Sequence, residues 1–322
     1  VFERPKKVAI TTHKSPDGDA IGSSMALGVV LRKLRNSVSV IVPDSFPQFL
    51  NWMDPESTIL IDDQSPIECG LAISEADVVF SLDYNTLSRI GNVAPKIEAS
   101  KAYKILIDHH LFPDSGFDEV LSDTSASSTA ELIYDFICQM GWGEYIDKGV
   151  SECIYTGIMT DTGSFRFSST KASTHRIAAD LMDKGLVPSD VHQRIYDTNS
   201  FSRMKLIGHA LSSNLILHKS GKAAIISLSL KEKNKFGYKK GDTEGLVNYG
   251  LSIEGVEIAM FLSEELDMVK FSFRSKGNVD VNEIARANFN GGGHRNAAGG
   301  RLDCDLDGAM QKLNEVLNEL FI

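Results

Sequence analysis

Cysteine is scarce. The four present, Cys69, Cys138, Cys153 and Cys304, form no C-x-x-C pair, and their spacings suit neither a zinc site nor a disulfide framework. Reduced, buried thiols in a cytoplasmic protein are the expectation. No stretch approaches 18 unbroken apolar residues, which excludes a transmembrane helix. No basic segment followed by an apolar run opens the sequence, so no signal peptide is expected. Cations are in deficit as well, with 33 Lys and Arg against 43 Asp and Glu and a net charge of −10. That argues against tight, non-specific binding of long duplex nucleic acid. It leaves room for a small anion, because a few local cations or a metal can invert the field inside one cleft. A G-x-x-x-x-G-K-[ST] loop is absent, which makes a P-loop nucleotidase a poor fit. What is present is an ordinary globular mix of 42% apolar and 24% charged residues over 322 positions, enough for two domains.

Short apolar, β-branched runs alternate with helical spacing in the first part of the chain. Lys7 to Thr12, Val38 to Val42, Thr58 to Ile61, Asp77 to Leu82 and Tyr103 to Ile107 read as strands. Ala20 to Arg35, Ser127 to Met140, Lys148 to Thr160 and Thr174 to Lys184 read as helices. Ser128 and Glu131 have capping-box spacing, and Gly185 follows as a helix stop. Near-continuous apolar strands between helices imply a mostly parallel sheet covered on both faces. The fold class is thus α/β, with that domain over residues 1–187. A polar helical stretch at 188–212 reads as a linker. Strands at 214–217, 223–230, 256–262 and 268–273, with helices at 281–289 and 306–320, suggest a smaller α/β domain with a mixed sheet at 213–322.

Acidic and imidazole residues cluster at the ends of the first domain's strands. His13-Lys14-Ser15-Pro16-Asp17-Gly18-Asp19 follows the first. Asp83 ends a later one, and Asp108-His109-His110 ends another. Asp161, in Thr160-Asp161-Thr162-Gly163, lies just past a predicted helix. The carboxyl ends of parallel strands face one crevice, where ligands bind. Singly, each has a plainer reading: Asp17-Gly18 as a turn, Asp19 as N-cap of the helix starting near Ala20, Asp83 and Asp161 as turn or cap residues. Gathered together, so many carboxylates need compensating charge. Carboxylate and imidazole without thiolate point to Mn²⁺, Mg²⁺ or Fe²⁺, and the ligands suffice for two ions.

In this order, H-x-x-x-D-x-D, the lone Asp, Asp-His-His and T-D-T-G resemble the four motifs of the DHH phosphoesterase family. The resemblance implies a dinuclear Mn²⁺ site. His13, Asp17 and Asp83 would hold one ion, and Asp19, Asp83, His109 and Asp161 the other, with Asp83 bridging. Asp108 would orient an imidazole by hydrogen bond. His110 would face the substrate phosphate or leaving group, as a catalytic residue with Asp83.

Asn290-Gly291-Gly292-Gly293-His294 and the following Arg295 to Gly300 are read either as a backbone cradle for an anion or as a flexible helix-to-strand connection. The segment resembles the signature of the DHH-associated substrate domain, which makes Gly292, Gly293 and His294 candidate substrate contacts. Arg274, in Phe271 to Ser275, resembles that domain's phosphate-binding arginine. The basic run Lys231 to Lys240 reads as a solvated helix end or a short single-strand contact. Arg166 is a further candidate for the cleft. His175, His192, His209 and His218 read as structural or exposed. Within the family the chain resembles soluble oligoribonucleases that degrade very short RNAs and remove the 3′-phosphate of 3′-phosphoadenosine 5′-phosphate. Cyclic di-AMP or its product pApA, and pyrophosphate or polyphosphate, are alternative substrates of the same core. A nucleotide sensor without catalysis is the rival of another class. A homodimer is expected only because dimers are common.

Overall fold

The computed structural model describes residues 4–321, and the chain divides into two units after Thr198. In the first, strands β1 (Lys7–Thr11), β2 (Ser37–Val42), β3 (Leu60–Ile61), β4 (Val78–Leu82), β5 (Tyr103–Asp108) and β6 (Glu119–Ser122) form one sheet in the order β3-β2-β1-β4-β5-β6. Every pairing is parallel. The helices are α1 (Gly18–Lys33), α2 (Pro66–Ser74), α3 (Ala94–Ala99), α4 (Thr129–Gln139), α5 (Lys148–Asp161), α6 (Ala172–Asp183) and α7 (Pro188–Tyr196).

Alternation along the strands fixes which helices cover which face. Ile10, Val40, Phe80 and Ile107 join Leu27 of α1, Ile133 of α4 and Ile154 of α5 in one core. Ala9, Ile41 and Val79 join Ile73 of α2 and Ile97 of α3 in the other. Both faces being apolar, the strands carry little polar residue until their carboxyl ends. The order reverses between β1 and β4, so those two strands lead their chains apart and open a crevice at that edge.

The second unit holds α8 (Phe201–Ser213), β7 (Leu215–Leu217), β8 (Ala223–Leu228), α9 (Leu230–Lys235), α10 (Leu246–Leu251), β9 (Ile258–Glu264), β10 (Val269–Ser275), α11 (Val281–Asn288), β11 (Gly292–His294), β12 (Ala297–Leu302) and α12 (Leu306–Leu320). Its sheet, in the order β11-β12-β10-β9-β8-β7, is mixed: β8 and β9 are parallel and the other pairs antiparallel. Phe271, Phe273 and Phe289 pack together on one face, with centroids 4.6–5.7 Å apart. The stretch at 188–212 therefore contains two helices, α7 in the first unit and the greater part of α8 in the second.

Several local expectations need correction. Strand β6 is one that periodicity does not predict, since its short, mostly exposed sequence gives no apolar run. The glycine-rich segment is no loop: Gly292 to His294 are a strand paired with β12. A Cβ at Gly291 would sit 2.0 Å from the Gly299 carbonyl oxygen, and one at Gly300 2.7 Å from that of Phe289. Close backbone packing thus demands these two glycines, with no ligand needed to explain them. The basic run is not all solvated either: Lys233 is fully buried, bonded to Ser263 and Glu265 and set over the Tyr238 ring. All four cysteines are free, but Cys138 is exposed and Cys304 half-buried.

Candidate metal centre

Each site residue owes its place to a strand end or a helix end. His13 follows β1 by two residues, Asp83 follows β4 directly, and Asp108 closes β5 ahead of His109 and His110. Asp83 adopts a left-handed backbone, φ +63°, which aspartate tolerates better than most residues, and its N–H donates to the Ile107 carbonyl at 3.2 Å. The cap of α1 is Asp17 and not Asp19: the Asp17 Oδ1 accepts from the N–H groups of Asp19 and Ala20 at 3.0 and 3.1 Å. Asp19 stands inside the first turn of α1. Asp161 is likewise the last residue of α5 and not a loop residue.

These side chains converge. Ligand atoms of His13, Asp17 and Asp83 lie within 4.8 Å of one another, and so do those of Asp19, His109 and Asp161. Asp83 belongs to both neighbourhoods: its Oδ2 is 3.3 Å from His13 Nε2, and its Oδ1 is 3.5 Å from His109 Nε2. His109 Nε2 is also 3.3 Å from Asp161 Oδ2 and 3.8 Å from Asp19 Oδ2. Asp108 orients His110, accepting from its main-chain N–H at 3.0 Å and lying 2.7 Å from its Nδ1.

Among the side chains alone, the charges settle as proton positions. Burial opposes a charge on His13, but hydrogen bonds with Asp17 and Asp83 outweigh it and bring the pKa up to about 10. His109 is likewise desolvated, yet Asp83 and Asp161 bring it to about 10. Burial would raise Asp83 too; the bonds from His109 and His13 hold it well below the usual carboxylate range instead. Asp19 goes upward, through burial and the charges of Asp83 and Asp161. Burial, with the charge of Asp83, lifts Asp108 to about 6. His110 is pushed well below its ordinary value by burial and by the nearby Arg89 cation, which leaves it a neutral imidazole. A site that needs two imidazolium ions to steady its carboxylates has the donor set and charge deficit that divalent cations satisfy. Oxygen and imidazole nitrogen, without thiolate, are ligands for hard or borderline ions.

Two residues here escaped the motif reading. Arg89 lies six positions after Asp83, and Thr129 opens α4; its Oγ1 donates to Asp83 Oδ1 at 3.0 Å. The only sequence signal for Thr129 was the neighbouring Ser128 cap. Of the second-unit candidates, Arg274 is on β10, with its Nη1 donating to the Phe273 carbonyl at 2.9 Å. The Gly293 N–H donates to Asn282 Oδ1 at 2.9 Å. Arg166 is exposed and folds onto its own loop, its Nε donating to the Gly163 carbonyl at 2.8 Å. His192 contacts Ser164 and Pro188, His209 pairs with Glu232, His175 stacks on Phe165, and His218 is buried.

The chain resembles known proteins along nearly its whole length. Residues 7–158 match the DHH family, N-terminal domain, and residues 220–321 match the DHHA1 domain. The bifunctional oligoribonuclease and PAP phosphatase NrnA of Thermus thermophilus is 32% identical, across 97% of this chain and 89% of that protein. The crystal structure of an exopolyphosphatase-related protein from Bacteroides fragilis superposes with a TM-score of 0.93 at 42% identity, covering 99% of this chain and 93% of that one. An exonuclease RecJ crystallised with manganese shares the fold at 13% identity, with a TM-score of 0.50 over 98% of this chain and 91% of that one. By sequence, domain order and fold, the chain is a member of the DHH phosphoesterase family, a DHH N-terminal domain followed by a DHHA1 domain.

Proposed function

We propose that the protein is a Mn²⁺-dependent phosphodiesterase and phosphatase for short nucleotides: oligoribonucleotides, pApA and 3′-phosphoadenosine 5′-phosphate. The observation that carries this is Asp83, whose two oxygens face different donor clusters, so that it could serve a cation in each. The name of the Thermus thermophilus relative supports the substrate class. The net charge of −10 favours a short substrate over long duplex nucleic acid. Four free cysteines suit a reducing compartment, and we place the enzyme in the cytoplasm. No helix among the described residues is long and apolar enough to cross a membrane.

In this reading His13, Asp17 and Asp83 would hold one cation, and Asp19, His109 and Asp161, with Asp83, would hold the other. Divalent cations at such a site supply Lewis acidity, making water a better nucleophile near neutral pH and drawing charge off phosphoryl oxygens. The chain's own groups do the rest. Asp108 fixes the His110 ring through Nδ1, which turns Nε2 toward a phosphoryl or leaving-group oxygen. With its Nδ1 committed to Asp108, the His110 ring presents Nε2 as the ring atom that takes part in proton transfer with substrate. The main-chain bond from His110 to Asp108 keeps that pair rigid. Arg274, Gly292, Gly293 and His294 bind the nucleotide in the second unit, Arg274 through its planar fork.

The test is a panel of pApA, RNAs of graded short length, 3′-phosphoadenosine 5′-phosphate, cyclic di-AMP, pyrophosphate and polyphosphate, each with Mn²⁺ and with EDTA. The expected result is Mn²⁺-dependent turnover with kcat/KM highest on the short nucleotides. Preference for polyphosphate or cyclic di-AMP would reassign the substrate. Tight nucleotide binding without turnover of any member would replace the enzyme with a sensor.

A further inference from the structure

Helix α4 contributes no ligand to either donor cluster, yet its first turn touches both. Ser128 caps it in the ordinary way, its Oγ accepting from the Glu131 N–H at 3.1 Å. The reciprocal half of a capping box is missing. The Glu131 carboxylate turns to the N–H and hydroxyl of Ser127 and to Thr174 instead. The next two N–H groups, those of Thr129 and Ala130, donate to Asp19 Oδ2 and Oδ1 at 2.6 and 2.8 Å. The Thr129 hydroxyl donates to Asp83 Oδ1 at 3.0 Å. One fully buried residue therefore bonds two carboxylates that lie 110 and 46 positions away in sequence.

The physical consequence concerns Asp83. The terminal torsion of an aspartate is broad, so its carboxylate can rotate about the Cβ–Cγ bond. A bridging role needs one particular rotation, with Oδ2 toward His13 and Oδ1 toward His109. A hydrogen bond to Oδ1 from a β-branched, helix-anchored hydroxyl selects that rotation, because threonine has few rotamers to choose from in a helix. The same residue's main-chain N–H fixes Asp19 in the neighbouring cluster. Resting on the metal-centre reading above, we infer that Thr129 is a positioning residue that sets the Asp83 bridge and couples the two cation sites through α4.

Thr129→Val keeps the shape and removes the donor; Thr129→Ser keeps the donor. The experiment is a Mn²⁺ titration of the whole protein followed by the electron paramagnetic resonance of free Mn²⁺, with no substrate present. Melting in EDTA monitors the fold, and kcat and KM are read on bis-p-nitrophenyl phosphate. Thr129→Val is expected to bind Mn²⁺ about 10- to 100-fold more weakly and to lose kcat by a similar factor, with KM little changed. Thr129→Ser is expected to recover most of both. Thr129→Ala, which places no methyl against the carboxylate, replaces the Val variant if that one fails to fold. Wild-type Mn²⁺ affinity in the folded Val or Ala variant would overturn the inference. So would a Ser variant as impaired as Val, since the effect would then belong to packing of the threonine methyl. Absence of Mn²⁺ binding by the wild type would sink the metal-centre reading and this inference together. Binding with no turnover would sink only the proposed reaction.

Discussion

Gly157, on the face of α5 that meets α1 and α4, is the sharpest place to test whether the helices set the metal centre. A Cβ there would stand 2.5 Å from the Ala130 Cβ, 2.6 Å from Asp19 Oδ1 and 3.3 Å from the Asp19 Cα, where ordinary contacts begin at 3.4 Å. Neither neighbour can yield alone. Asp19 is inside α1, and Ala130 is tied to Asp19 by its own N–H. The junction in Gly157→Ala must therefore open by about 0.9 Å, and overpacking of that kind costs about 1–3 kcal/mol. Alanine returns about 1 kcal/mol through helix propensity, so the net loss is of order 1 kcal/mol. The functional cost is larger. A shift of about 1 Å in a group that organises the chemistry can cost about 100-fold in rate. Urea unfolding and Mn²⁺-dependent turnover of bis-p-nitrophenyl phosphate measure the two effects. Gly70→Ala on α2 is the control, since nothing lies within 4 Å of its added Cβ. It should gain about 0.5–1 kcal/mol with full activity. If Gly157→Ala matched that control in both stability and rate, the close helix approach would not constrain the site, and the reasoning would fail.

Asp83→Asn should lower Mn²⁺-dependent turnover by more than the ~100-fold that changes outside the ligand shell produce, read on the same chromogenic diester. Equal rates would remove Asp83 from the mechanism. Gly291→Ala should destabilise the second unit by several times the ordinary cost of a helix-cap change, about 1 kcal/mol, because the new Cβ meets a carbonyl oxygen at 2.0 Å; amide exchange over 289–302 locates the damage, and protection equal to wild type would refute it. Burial would raise the Glu232 carboxyl, but bonds from Asn214, Ser229 and His209 bring it down to about 2. With the folded value below the unfolded one of 4.5, its stabilisation is present above pH 4.5 and is lost as pH falls toward 2. Glu232→Gln should flatten that part of the acid unfolding curve. An unchanged curve would show that these carboxylate bonds do not stabilise the folded state.

The candidate site was legible because strand ends leave little choice. A buried parallel strand spells itself as an apolar run, and the first polar residues past it, His13, Asp83 and His109, must emerge at one edge of the sheet. Helix ends were less legible. The pattern D-G-D offers two caps, and only the backbone decides that Asp17 caps α1 while Asp19, two residues on, faces the crevice. Thr129 carries no motif at all; its importance lies in where α4 starts relative to two distant carboxylates. The glycines at 291–300 were ambiguous in the opposite sense. Glycine spells both an anion cradle and a tight backbone crossing, and the crossing is what holds Gly291 and Gly300. Buried Lys233 was unreadable because its partners, Ser263 and Glu265, lie 30 and 32 residues further along the chain.

Residue type and spacing by themselves determined the α/β class, the two-part organisation and a cluster rich in carboxylate and imidazole, since each follows from local periodicity and composition. Tertiary structure alone decided which oxygen of Asp83 faces which histidine, that His110 is the imidazole Asp108 steers, and that α4 grips Asp19 and Asp83 at once. The Asp83 and α4 relations join atoms many tens of residues apart, and even the local Asp108–His110 pair depends on a side-chain direction that residue type and spacing do not encode.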